Sequence, residues 1–306
     1  MGNADDAAYM ETVLSPKPLD PEKAAERLRE VKGVFDELGV TFWLRSGTLL
    51  GIVRAGSFID WDDEMDTASV LGMHGVTKET VKRVAEAFRA RGFTVRVQEG
   101  PRYAAVAFVK DGIRTDWTCY RLVDGRAYEF PGIEIPLHVF DELKEIEFAG
   151  ERFLIPNPPE DYLAAKYGPD WRTPKGPGFE ADVVRQVTDG SMISRWTGLL
   201  WRASGGRLPR WCARVRVYDR EGALVRGVQV RVAGIGETAT NAQGEARFPV
   251  PADDYYAVTV AYPGHSEVLY MEMLRPGGRY TYWPGPIVTA EEHYKAGVRA
   301  LALIEE

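Results

Sequence analysis

The sequence predicts an α+β chain: a sheet with flanking helices, followed by a small all-β sandwich. Three observations carry this. Apolar residues recur at helical spacing over residues 23–38 and again over residues 78–91. Three β-rich runs, residues 93–98, 103–110 and 113–121, follow one another across Gly-containing turns, which reads as a meander. Beyond Gly205 the helical spacing gives way to short alternating runs (ARVRVYD, VQVRVAG, EARFPVP, YAVTVAYP) with frequent turn signals, the pattern of a sandwich.

Taken in order, Asp20 can cap a helix that begins at Pro21, and Ala24, Leu28, Val31, Val34, Phe35 and Leu38 form its apolar stripe. Gly39 ends it. A short strand over 40–44 leads through a Gly-rich turn into a helical stretch over 48–54, and a strand is expected over 62–71. The helix over 78–91 stops at Gly92, and a further helix over 160–167 closes at Gly168. A last helix is expected over 291–303. The organisation is then residues 1–189 as the first domain, 190–210 as an Arg-rich linker or helix, 211–288 as the sandwich and 289–306 as a C-terminal helix. The boundary falls between Asp189 and Trp211.

Composition removes several functions. The 306 residues carry Lys+Arg 38 against Asp+Glu 45, a net charge of −7, so no global positive field holds nucleic acid. No uncharged apolar run approaches the ~18 residues of a membrane span, and MGNADDAAYM lacks the basic start and apolar core of a signal peptide. The expected residence is cytoplasmic, or peripheral to a membrane. Cys119 and Cys212 read as free thiols in a reducing compartment. The four His residues show no HExxH spacing, and neither a GxSxG elbow nor a GxxxxGK[ST] loop is present. Zinc hydrolases, serine esterases and P-loop ATPases therefore drop out.

The stretch Asp62-Asp-Glu-Met-Asp66 has four acidic residues in five. On a strand, Asp62, Glu64 and Asp66 share one face, and three like charges there repel unless a cation lies among them. Oxygen ligands without nearby His or Cys suit Mg²⁺ or Mn²⁺. The alternative is a solvated acidic loop, which sits poorly with Phe58, Ile59, Trp61 and Met65 interleaved. An EF-hand fails, since Met65 stands where its sixth-position Gly belongs. Upstream, Ser46, Gly47 and Thr48 form a small-residue turn into a helix, a cradle for phosphate. A phosphate cradle beside paired carboxylates is what metal-dependent phosphoryl transfer requires.

These stretches, Gly47-Thr-Leu-Leu-Gly-Ile-Val-Arg54 and Trp61-Asp-Asp-Glu-Met-Asp66, with Tyr167-Gly-Pro-Asp-Trp171 downstream, resemble the LicD/fukutin family of the nucleotidyltransferase superfamily. The resemblance covers roughly residues 25–175. It implies a nucleotidyltransferase-like mixed sheet. It also implies a transferase that moves a substituted phosphate, such as phosphocholine or ribitol phosphate, from a CDP-linked donor to a hydroxyl of a sugar or glycolipid acceptor. Where that family usually has Asp, this chain has Glu64. The resemblance also calls for a carboxylate on a neighbouring strand, and Asp116 fills that place, sharing a strand face with Arg114 and Thr118; the competing reading of Asp116 is a salt bridge near Arg114. The expected metal ligands are then Asp62, Glu64, Asp66 and Asp116, with Asp116 as base, and Glu64 and Asp66 central to catalysis. Ser46, Gly47, Thr48, Arg54 and Lys166 are the expected phosphate contacts, with Arg45 weaker than Arg54. Trp61 could stack on a base, whereas Trp43 fits a packed core.

Between Gly190 and Tyr218 stand six arginines and no acid or lysine. With Trp196 and Trp201 interleaved, the 195–216 segment could touch a membrane surface or an anionic acceptor, or pack between domains. The sandwich resembles the carboxypeptidase regulatory-like, transthyretin-like domains, which implies binding or support without chemistry. Two other functions stay open: transfer of a whole NMP to a small acceptor, and a non-catalytic glycan- or nucleotide-binding protein with a degenerate site.

Overall fold

The computed structural model describes residues 2–100, 102–176, 179–193, 195–205, 211–284 and 302–303. The chain separates into two compact units: residues 1–128 with 135–173, and residues 129–134 with 174–306.

The first unit opens with α1 (Gly2–Leu14), a helix without an apolar stripe. α2 (Pro21–Glu37) follows, and Asp20 caps it by accepting from the Glu22 and Lys23 N–H groups, as the sequence predicts. Ala24, Leu28, Val31, Val34 and Phe35 of its apolar stripe are buried, and Leu38, the cap after its last turn, is half-buried. Then come β1 (Trp43–Leu44), α3 (Ser46–Ala55), β2 (Glu64–Val70) and α4 (Lys78–Ala90). Thr77 and Thr80 form a capping box at the start of α4. The meander is β3 (Thr94–Glu99), β4 (Tyr103–Lys110) and β5 (Ile113–Tyr120), close to the expected bounds. Two short strands, β6 (Ala127–Glu129) and β7 (Ile133–Ile135), the hairpin β8 (Lys144–Phe148) and β9 (Glu151–Ile155), and α5 (Pro159–Tyr167) follow.

The central sheet is mixed, in the order β1-β2-β5-β4-β3, with β2 and β5 parallel and the other pairs antiparallel. On one side Trp117 meets Phe35 of α2 edge-on at 5.0 Å between ring centroids, and Phe88 of α4 stacks on Phe108 at 3.8 Å. This aromatic layer fixes the hydrophobic side of the sheet. Asp66 and Asp116 lie on the other side. α1 contacts β3, β4 and β5, with Tyr9 under the guanidinium groups of Arg96 and Arg114.

In the second unit, α6 (Glu180–Gln186) and α7 (Arg195–Ala203) precede eight strands among the described residues. These are β10 (Cys212–Val217), β11 (Gln229–Val232), β12 (Gly236–Ala239), β13 (Glu245–Pro249), β14 (Asp254–Tyr262), β15 (His265–Leu274), β16 (Arg279–Tyr282) and β17 (Ala302–Leu303). Two four-stranded sheets, β13-β10-β16-β17 and β12-β11-β14-β15, enclose one apolar core that includes Val215, Val230, Phe248, Val258 and Tyr280. The helix expected over 291–303 lies outside the described residues except for its last two. Those two are extended: Ala302 and Leu303 pair with Thr281 and Tyr280.

The division between units comes earlier in the chain than the expected one at 189–211. α6 packs on β15, and Arg231 bonds Asp189, the Val184 carbonyl and the Val187 carbonyl. Phe130 meets Tyr270 edge-on at 5.1 Å, which ties residues 129–134 to the same unit.

Candidate active site

The site begins with where β2 starts. The strand opens at Glu64, two residues later than expected, so Asp62 stands on the turn before it and not on a shared strand face. Glu64 and Asp66 do share a face. In the parallel ladder Glu64 lies beside Arg114 and Asp66 beside Asp116, which brings Asp66 and Asp116 together across neighbouring strands. Asp62 reaches the same region from the turn, against α3. A Cβ on Gly47 would stand 2.6 Å from Asp62 Oδ2, so with any other residue there the carboxylate would have to move from its present place.

Burial governs the electrostatics. Asp62 is 9% exposed and its Oδ2 has no hydrogen-bond partner. Burial, reinforced by the charges of Asp66 and Asp63, pushes its carboxyl up to about 8. Burial also raises Asp63. Asp116 Oδ1 is likewise buried without a partner. Two arginines supply positive charge. Arg45 places Nη2 2.8 Å from Asp66 Oδ1, and its Nε donates to the Thr67 carbonyl at 3.1 Å. Arg114 pairs with Glu64 and lies 3.7 Å from both Asp63 Oδ2 and Asp116 Oδ2. The salt-bridge reading of Asp116 is therefore part of the geometry.

The donor set suits a hard divalent cation in kind: carboxylate oxygens only, two of them buried and unpartnered. Among the described residues, however, no group of three or more acidic, His or Cys side chains stands ready to hold an ion. Arg114 fills the space between Glu64, Asp63 and Asp116, so a cation could gather these carboxylates only if that guanidinium gave way.

α3 begins at Ser46, two residues before the expected start, with Arg45 as its cap. Ser46 has φ +47, a left-handed conformation that a non-glycine residue adopts only when its surroundings hold it. Those surroundings come largely from α5. Tyr162 Oη accepts from the Ser46 N–H at 3.1 Å, and Lys166 Nζ donates to Ser46 Oγ at 2.5 Å. Arg45 Nη1 donates to the same hydroxyl at 3.0 Å. One hydroxyl thus sits between two cations. The first backbone bond inside α3 is Leu49 N–H to the Arg45 carbonyl at 2.9 Å.

The other expected groups divide. The Thr48 hydroxyl is buried and accepts from the Asp66 N–H at 2.8 Å, so it locks α3 to β2. Arg54 lies in the last turn of α3, roughly 12 Å along the helix from Ser46 at 1.5 Å per residue. It makes no ion pair with a described residue. Trp43 is buried and stacked on Phe140, whereas Trp61 is 41% exposed. Tyr162 was not expected. Its spacing of four residues from Lys166 puts both on one face of α5, and that was the available signal. Tyr9 and α1 were also missed.

Residues 39–158 match the family described as LicD/FKTN/FKRP, nucleotidyltransferase domain. The segment contains the candidate carboxylates with Arg45, Ser46, Gly47, Thr48, Arg54 and Arg114, but neither Tyr162 nor Lys166. The chain is also similar to the ribitol 5-phosphate transferase FKRP of Mus musculus, 30% identical over 154 residues, which is 47% of this chain and 31% of the mouse protein. Against the ribitol 5-phosphate transferase FKRP of Homo sapiens it is 29% identical over 175 residues, 54% of this chain and 35% of the human protein. The chain thus spans about a third of the length of these relatives.

Proposed function

We propose that the first unit is a metal-dependent transferase. It moves a substituted phosphate, such as ribitol phosphate or phosphocholine, from a CDP-linked donor to a hydroxyl of a glycan. The observation that carries this is the placing of Asp66 beside Asp116 in the ladder and of Asp62 within the field of Asp66, with one buried oxygen each of Asp62 and Asp116 left unpartnered, on the same unit as the Lys166–Ser46–Arg45 cluster at the start of α3. The match over residues 39–158 and the two similar ribitol 5-phosphate transferases support the reaction class.

In this reading the acceptor oxygen attacks the donor's distal phosphorus, and the bond from that phosphorus to the bridging oxygen breaks. CMP leaves. Asp116 takes the acceptor proton. Lys166, Arg45 and the Ser46 hydroxyl receive the donor phosphates and balance their charge. Asp62, Glu64, Asp66 and Asp116 are the residues that would hold Mg²⁺ or Mn²⁺, and the ion would neutralise charge on the transferring phosphate. Arg54 has no place in this scheme from its position at the far end of α3. Pairing Asp62, whose carboxyl sits near 8, with a cation would draw it into its charged form.

The second unit is proposed as a carboxypeptidase regulatory-like support for the acceptor, on the strength of its two packed sheets. The test is mass spectrometry of products from a panel of CDP-ribitol, CDP-glycerol, CDP-choline and CTP. CMP with a phosphoalditol- or phosphocholine-modified sugar supports the reading, and an NMP-modified acceptor overturns it in favour of nucleotide transfer. A second reading, a non-catalytic binding protein, is favoured by one observation: Arg114 already neutralises Glu64, and no ready cation site is formed among the described residues. Calorimetry with CDP-ribitol with and without Mg²⁺ separates the two, since a binding protein of this kind needs no cation.

A further inference from the structure

Arg114 stands among the candidate carboxylates, yet the proposed chemistry gives it no part. β5 sets its place. Arg114 and Asp116 are two residues apart on one strand face, and the parallel ladder puts Glu64 beside Arg114. The Arg114 side chain is 9% exposed, and the three carboxylates around it are all more open. Its Nη2 pairs with Glu64 and lies 3.7 Å from Asp63 Oδ2, while its Nε lies 3.7 Å from Asp116 Oδ2. Burial raises the Asp62 and Asp63 carboxyls and the Arg114 charge pulls both back down, so the field of this one guanidinium reaches four carboxylates.

Arginine keeps its charge at any working pH, and a buried charge stays where something balances it. Here the balance is loose. Of the three acidic neighbours only Glu64 is at hydrogen-bonding distance, and Nε is buried without a hydrogen-bond partner. A guanidinium offers five N–H donors in a fixed fork, which fits two oxygens of one carboxylate or phosphate at once. The seat among the carboxylates leaves part of that fork unused, and an unmade bond of a buried charged donor is costly. The same carboxylate oxygens would be needed to hold a divalent cation, and the guanidinium already fills the space between them. The two charges compete for one place. On the α1 side the Tyr9 ring lies 5.6 Å from the guanidinium carbon, an aromatic surface against which a cation can rest outside the carboxylates.

We propose that Arg114 is a resident counter-ion: it holds the carboxylates in the free chain, and gives up that place for a phosphate of the donor when donor and divalent cation bind. The donor phosphate then fills the fork that the carboxylates leave partly empty. Cation and donor therefore bind as a coupled pair, each raising the affinity of the other by the same factor. The inference rests on the transferase reading for its donor, and adds to it that the free chain binds metal poorly.

The experiment measures Mn²⁺ binding to the full chain, from the electron paramagnetic resonance of the free ion, with and without CDP-ribitol. Wild type should bind Mn²⁺ at least 10-fold more tightly when CDP-ribitol is present. Arg114→Gln should bind Mn²⁺ alone at least 10-fold more tightly than wild type and lose most of its dependence on donor, and Arg114→Lys should restore weak binding of Mn²⁺ alone. Mn²⁺ binding that Arg114→Gln leaves unchanged overturns the proposal. So does an affinity raised equally with and without CDP-ribitol, which would show only the loss of a nearby charge. If the Gln variant does not fold, wild type decides: the Arg114 Nε–H resonance, assigned by its absence from the Lys variant, should shift when Mg²⁺ and CDP-ribitol are added together. A resonance that stays in place in a chain with both bound overturns the exchange. CMP release from CDP-ribitol reports separately on the transferase reading. Release without coupling overturns this inference alone, whereas no release and no Mn²⁺ binding under any condition overturns the transferase reading and the inference with it.

Discussion

Replacing Asp62 with Asn tests the electrostatics at the heart of the site. The Asp62 carboxyl is pushed up to about 8 from an ordinary 3.8 by burial, with Asp66 and Asp63 adding to it. The folded chain therefore keeps this proton while the unfolded chain gives it up, and stability falls as pH rises from about 4 to about 8. Below and above that window the term is flat. Each pH unit inside it costs about 1.4 kcal/mol, so the penalty reaches roughly 4 kcal/mol at neutral pH. Asn has the same shape and does not titrate. The stability of Asp62→Asn relative to wild type should therefore grow by about 3 kcal/mol between pH 5 and pH 7 in the presence of a chelator. Native-state hydrogen exchange of the β2 and β5 amides reads this in the first unit specifically. A difference that is the same at pH 5 and pH 7 would refute the reasoning, whatever its size.

Two glycines predict opposite signs. A Cβ at Gly51 would lie 2.5 Å from the Ser57 carbonyl oxygen and 3.0 Å from the Ile59 N, so Gly51→Ala should cost about 1–3 kcal/mol. At Gly33, inside α2, nothing lies within 4 Å, and Gly33→Ala should stabilise by about 0.5–1 kcal/mol; thermal melts of both variants check the pair. Lys166→Met removes the 2.5 Å bond to Ser46 Oγ and a charge proposed for the donor phosphates. Its kcat/KM for the CDP-linked donor should fall at least ~10-fold, which is about 1.4 kcal/mol of transition-state binding, and an unchanged value would remove Lys166 from the phosphate cluster. Tyr162→Phe frees the Ser46 N–H, and the loss of Ser46's left-handed geometry should show as a smaller drop in the same assay.

The meander and the helices were legible because local signals agree there with the tertiary result: alternation, glycine turns, helical spacing, and Asp20 at a helix start. α1 was not, because its sequence GNADDAAYMETVL has no apolar stripe and its contacts are made by individual side chains such as Tyr9. The acidic cluster could be read from spacing, but its division could not. A start of β2 two residues later moved Asp62 from the strand face to the turn, where Gly47 lets it pack. Nor could spacing show that Arg114, two residues from Asp116 on the same face, would sit among Glu64, Asp63 and Asp116. The Ser46 conformation depends on α5, more than a hundred residues downstream, so no local reading reaches it.

The central claim is that the carboxylates of β2 and β5 carry a cation-dependent transfer, and Asp66→Asn reaches it most directly. Asp66 lies beside Asp116 in the ladder and is buried, so the amide keeps the shape and removes the charge. Turnover of CDP-ribitol in the presence of Mg²⁺, measured on Asp66→Asn protein whose circular dichroism equals wild type, should fall by ~10³-fold or more, consistent with loss of a group that acts on the transferring phosphate. Turnover within a few-fold of wild type would contradict the account.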